Sequence, residues 1–125
     1  MANPNIVGIT TVFGKTVAIA LADTNQTTVL SNAASSEKVF KINSIIVANV
    51  DGSSAADITI SYHSEDDGGG TEYKIASTVS VAADSTLVVV DKASSIYLEE
   101  DKSITATASA GGDLHVICSY EDIQD

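Results

Sequence analysis

The chain has no arginine and no tryptophan, a single cysteine, and only four tyrosines and two phenylalanines among its 125 residues. Each shortage removes a class of function. Six lysines stand against seventeen carboxylates, for a formal net charge of −11. Nucleic-acid binding needs several phosphate-neutralising cations on one face, and arginine supplies most specific base contacts, so nucleic acid is excluded as a partner. Without tryptophan the aromatic platform on which sugars stack is missing. Cys118 cannot pair within the chain, and on the apolar side of its strand it reads as a small buried hydrophobe rather than a reactive thiol. One cysteine and no close pair of histidines give zinc no ligand set, so no cofactor is expected. No apolar run reaches the ~18 residues of a membrane span. Met1-Ala2-Asn3-Pro4-Asn5 places no basic cluster before an apolar core, so no signal peptide and no membrane partner are expected.

What is present is strand after strand. Apolar residues alternate in Ile58, Ile60 and Tyr62, in Ile104, Ala106 and Ala108, and in Leu114, Val116, Cys118 and Tyr120, which is the period of a half-buried strand. The pattern predicts strands over Ile6–Phe13, Thr16–Ala22, Thr27–Ser31, Val39–Val50, Ile58–Ser64, Glu72–Val81, Leu87–Asp91, Ile96–Glu99, Ser103–Ser109 and Leu114–Glu121. Asp51-Gly52-Ser53-Ser54, Asp66-Asp67-Gly68-Gly69-Gly70, Ala83-Asp84-Ser85 and Gly111-Gly112-Asp113 supply the turns between them. No linker or repeat divides the chain, and residues 1–125 are read as one all-β domain. The expected architecture is an antiparallel β-sandwich, jelly-roll-like or immunoglobulin-like, with a barrel as the alternative. A chain of this length buries roughly two thirds of the surface its unfolded form exposes and needs no staple. Leu87-Val88-Val89-Val90 is apolar on both faces, which predicts either a central strand or one buried against another subunit.

Several motifs suggest chemistry and fall short of it. Gly8 and Gly14-Lys15-Thr16 resemble a phosphate loop, but five residues separate the glycines. Val17, Ile19 and Leu21 then alternate with Thr16, Ala18 and Ala20 as in a strand, where a phosphate loop requires a helix N-terminus. Glu65 to Glu72 could hold calcium, yet it lacks the alternating ligands of a calcium loop, and a long hairpin tip is the simpler reading. His63 and His115 fall at the parity opposite to their apolar neighbours and are expected to point outward. No G-x-S-x-G occurs. The run Glu99-Glu100-Asp101 has the carboxylates of a glycosidase but no aromatic neighbours, and reads as solvated surface.

Charge is divided unevenly. Residues 1–50 carry Lys15, Lys38 and Lys41 against Asp23 and Glu37, a net of +1, while residues 51–125 carry a net of −12. One account is an acidic surface that keeps the protein soluble; the other is that the first part docks and the second faces water. On the docking account the contact surface is Val7, Ile9, Phe13, Lys15, Lys38 and Lys41, with residues 1–14 an N-terminal arm or edge strand that could add to a neighbouring sheet.

Lys41-Ile42-Asn43-Ser44-Ile45-Ile46-Val47-Ala48-Asn49-Val50-Asp51-Gly52, Thr86-Leu87-Val88-Val89-Val90-Asp91-Lys92, Ile96-Tyr97-Leu98-Glu99-Glu100 and Leu114-His115-Val116-Ile117-Cys118-Ser119-Tyr120-Glu121 together resemble small virion structural proteins of tailed bacteriophages, of the marine and cyanophage type. The resemblance spans roughly residues 38–123 and consists of strand and turn patterns, with no catalytic residue to carry over. It implies a non-enzymatic, all-β protein of the decoration or cement kind that stabilises an assembled head. A neck, tail or fibre component is the alternative within the virion, and a calcium- or carbohydrate-binding β-sandwich module is the alternative outside it. The implied partner is the major capsid protein or another virion protein, with self-association, a trimer among the options. The implied location is the phage particle, after synthesis in the host cytoplasm. The Glu100-Asp101-Lys102 turn lacks the glycine that relatives would carry there.

Overall fold

The computed structural model describes residues 3–124. Nine strands follow one another: β1 (Thr11–Ala20), β2 (Thr27–Asn32), β3 (Lys38–Asn49), β4 (Ala56–His63), β5 (Glu72–Val81), β6 (Thr86–Val90), β7 (Ile96–Leu98), β8 (Lys102–Ala108) and β9 (Leu114–Gln124). A 3-10 turn, Lys92–Ser94, separates β6 from β7. Every pairing is antiparallel and the pairs are nested. β1 pairs with β9, β2 with β8, β3 with β6 and β7, and β4 with β5, as if one long hairpin had been rolled up. Rolling splits the pairs between two sheets, ordered β1-β9-β3-β6, with β7 also on β3, and β2-β8-β4-β5. The result is a jelly-roll sandwich, neither a closed barrel nor an immunoglobulin order.

The alternation read from the sequence fills the space between the sheets. Ile42, Ile45 and Val47 of β3 and Val116 and Cys118 of β9 face Ile58 and Ile60 of β4 and Ile104 and Ala106 of β8, and all are buried. Two buried amides close the ends of the sandwich. Asn32 donates to the carbonyls of Lys38 and Leu98 at 2.9 and 3.0 Å. Asn49 donates to those of Ser54 and Val81, both at 2.9 Å, and accepts from the N–H of Asp51. Each amide thereby satisfies carbonyls that a strand ladder leaves over.

Three expectations need correction. Gly14-Lys15 does not separate two strands: β1 runs through it in ten consecutive pairs with β9, from Thr11 opposite Gln124 to Ala20 opposite His115. Residues 6–10 lie outside any strand. A glycine punctuates a strand only when nothing else fixes it, and here a full-length neighbour does. Leu87–Val90 is not a central strand; β6 is an edge strand. Its pairing with β3 slips at Ile45/Ile46, so the bulge at Val89 turns Leu87, Val89 and Val90 toward the core and leaves Val88 56% exposed. A bulge puts consecutive side chains on one face, which period-two reading cannot anticipate. The turn that lacks glycine is made by Asp101 at φ 59°, a left-handed conformation that aspartate tolerates better than most side chains.

Candidate functional site

The second sheet, β2-β8-β4-β5, keeps its polar groups on the outer face. Outward-facing Ser61 and His63 of β4 stand opposite Thr105 and Ser103 of β8. The parity of His63 predicts contact with solvent, yet it is 2% exposed, and Ser61, Ser103 and Thr105 are buried as well. The reason is the β4–β5 connection, residues 64–71. Rather than standing out as a hairpin tip, it folds back over β8 and β2. Ser103 donates to the carbonyl of Glu65 at 2.7 Å and accepts from the N–H of Gly68 at 3.1 Å. Gln26 donates to the Gly68 carbonyl, and Ser31 to that of Asp66. Lys102 reaches the Ser64 carbonyl at 3.2 Å. Gly68 sits at φ 79°, and a Cβ there would lie 2.9 Å from Gln26 Nε2 and 3.3 Å from Thr105 Cγ2. Only glycine lets the loop lie this close.

These groups are committed to structure. His63 Nε2 lies 2.7 Å from Thr105 Oγ1, and its Nδ1 is buried without a partner. Ser61 donates to Glu72 at 2.6 Å, which holds that carboxyl below its usual value. The acidic loop spends its side chains on backbone N–H groups: Asp66 accepts from Ala34 at 3.1 Å and Asp67 from Gly69 at 2.9 Å. Among the described residues no group of three or more His, Cys, Asp or Glu side chains is placed to hold a metal ion. No helix of the described residues is long and apolar enough to cross a membrane. The signal for the covered face was in the sequence: eight residues with three consecutive glycines exceed what a hairpin needs. Where they fold could not be read.

The first sheet is the opposite case. Its cross-strand register lines up Val88, Ile46, Ile117 and Ala18 as one row on the outer face. Beside it lie Thr86, Ala48, His115 and Ala20. His115 is exposed as expected and borders a hollow of about 150 Å³ with Ala18, Ala20 and Ile117. A second hollow of about 230 Å³ lies where the N-terminal segment meets the sheet, between Pro4, Ile6, Val39 and Tyr97.

Of the six docking residues, Phe13, Lys15 and Lys38 meet around Asp122. Val7 is 92% exposed and Phe13 49%; Ile9 is partly buried. Lys15 and Lys38 converge on the buried carboxylate of Asp122, at 2.8 and 3.8 Å. That contact raises the Lys15 pKa, and the Lys15 ammonium also lies 5.7 Å from the Phe13 ring centroid. Lys41 stands at the opposite parity from buried Phe40 and Ile42, beside Glu121 on the outer face. Two of the three lysines therefore share one buried carboxylate. Cys118 is fully buried, and desolvation pushes its thiol up to about 12.

The nested pairs define an all-β jelly roll whose buried polar groups hold strands and loops. No protein-family model matches the chain, and no curated protein does. Among solved structures, the chain is similar over 99% of its length, and 94% of the other, to a subunit from Bacillus endospore appendages, described as a novel family of disulfide-linked pili, at 19% identity and a TM-score of 0.51. It is also similar to a chain from the Gx strain of infectious bursal disease virus, at 10% identity and a TM-score of 0.48, covering 92% of this chain and 32% of that one. A third match is a chain from the virus-like particle of extra small virus of the giant freshwater prawn Macrobrachium rosenbergii, at 11% identity and a TM-score of 0.47, covering 98% and 87%. The pilus likeness establishes the shared fold.

Proposed function

We propose that this protein is a non-enzymatic structural subunit of a virus particle, and within that class a decoration protein that reinforces the head of a tailed phage. The observation that carries the reading is how the polar groups are used. His63, Glu72, Asp66, Asp67 and Asp122 are each engaged in holding the fold, none faces a shared reactive centre, and the strand and turn pattern resembles that of virion proteins. Jelly rolls are also an architecture that capsid domains use. The mechanism would be linkage: a subunit that binds only the assembled shell stabilises that shell by its binding free energy, repeated over many copies. Its partner would be the major capsid protein or another virion protein. Assembly of this chain would be non-covalent, in contrast to disulfide-linked pili, because its one thiol is buried and protonated.

A neck, tail or fibre component is the second reading, and it draws on the end-to-end likeness to a subunit of a filament. Gold-labelled antibody on intact particles separates the two. Label over the head supports decoration, label on the tail or fibres replaces it with the second reading, and unlabelled particles with free protein in the lysate reject both. A calcium-binding module would instead lose melting temperature in chelator.

A further inference from the structure

An exposed sheet edge is a template for another strand, and proteins blunt edges with bulges, charges and short lengths. The sandwich has four edges: β1, β2, β5, and β6 together with the three-residue β7. β2 has six residues and carries an extra residue, Val29, against β8. β5 slips twice against β4, places Thr78 at φ 47°, and carries Glu72 and Lys74. β6 has five residues, is bulged at Val89 and runs into the Lys92–Ser94 turn. β1 has neither a bulge nor a short length, and of the protective charges it carries only Lys15. It is ten residues long, keeps unbroken register with β9, and contains neither proline nor carboxylate. Its one charge, Lys15, is paired with Asp122. Among the described residues β1 pairs as a strand with β9 alone, and Val12 and Phe13 are 47% and 49% exposed.

We infer that β1 is an assembly edge, and that its occupant is β1 of a second copy of this chain, antiparallel across a two-fold axis. Two observations select that occupant. A pairing partner must itself offer a long, unbulged edge, and of the chain's own edges β1 alone does, which points to an isologous contact. In addition, β1 itself carries no carboxylate, which adds no like charge at this edge to copies with a net charge of −11. The pairing joins two five-stranded sheets into one that continues across the axis. This inference rests on the four edges and is independent of which particle the protein serves.

The full chain tests it without substitution. Sedimentation from micromolar to millimolar concentration is expected to show a monomer–dimer equilibrium. Hydrogen exchange is expected to show alternate amides of residues 11–20, those pointing away from β9, gaining protection as the dimer forms. Thr16→Asp, at an exposed site on β1, brings two carboxylates together across the axis and is expected to weaken dimerisation at least tenfold with little change in monomer melting. Val88→Asp, on the far edge of the same sheet, is expected to leave dimerisation unchanged. A chain that stays monomeric throughout overturns the inference. So does a dimer in which the alternate β1 amides still exchange freely, or one that Val88→Asp dissociates and Thr16→Asp does not.

Discussion

On the outer face of the β2-β8-β4-β5 sheet, His63, Ser103 and Thr105 lie under residues 64–71 of their own chain, whereas on the outer face of β1-β9-β3-β6, Ile46, Ile117 and Val88 form a row with no such cover among the described residues. One sheet hides polar side chains beneath a polar loop; the other leaves apolar side chains partly bare. The polar face needs cover to be buried at all, and the loop's backbone holds Ser103 while His63 and Thr105 bond to each other. The apolar face needs no partners for hydrogen bonding, and each Å² of it that is covered gains roughly 25 cal/mol. The difference also sorts charge: Glu65, Asp66 and Asp67 ride on the loop over one sheet, while the row on the other sheet is uncharged.

The largest expected effects fall where the two sheets meet and are alike. Ile45→Ala in the first and Ile60→Ala in the second each empty a fully buried site and are expected to cost about 2–5 kcal/mol in chemical denaturation. A loss confined to one of them would mean that the core is not shared. Glycine substitutions sharpen the contrast. Gly68→Ala forces a side chain into a left-handed conformation against Gln26 and Thr105, and is expected to destabilise by about 1–3 kcal/mol and to expose His63 to solvent exchange. Gly14→Ala meets nothing within 4 Å in the middle of a strand, and is expected to stabilise by about 0.5–1 kcal/mol. Equal shifts of the same sign from the two would break the comparison.

A smaller effect is the acid dependence that Glu72 gives the covered sheet. The hydroxyl of Ser61 lowers the Glu72 pKa from its ordinary 4.5. A lowered folded value means stability that is fully present above pH 4.5 and lost as pH falls through the lowered value. Ser61→Ala is expected to return the Glu72 titration, followed by NMR, toward its ordinary value and to flatten this part of the pH–stability curve. An unchanged Glu72 titration would show that the hydroxyl is not the cause. Smallest of all, Val88→Thr on the bare face is expected to stay within about 0.5 kcal/mol of the parent in monomer stability. A loss of several times that would mean the row is already packed within the chain.

The alternation of Ile58, Ile60 and Tyr62, and of Leu114, Val116 and Cys118, is enough to predict an all-β chain and most strand positions, because period two is a local property of which side chains must face a core. The burial of Cys118 and the exposure of His115 come from the same parity. Other features depend on what lies across from a residue. Gly14 stays in a strand because β9 runs beside it for ten residues. Val89 sits in a bulge because β6 must follow β3 with one residue too many. His63 is buried because a loop from its own hairpin returns over β8, and Lys15 and Lys38 share a carboxylate because β1, β3 and β9 bring them to Asp122. Sequence determined which residues alternate and how acidic the whole is. Tertiary structure decided which outer face is covered, which charges are spent and which edge stays open, since each of these depends on contacts between strands far apart along the chain.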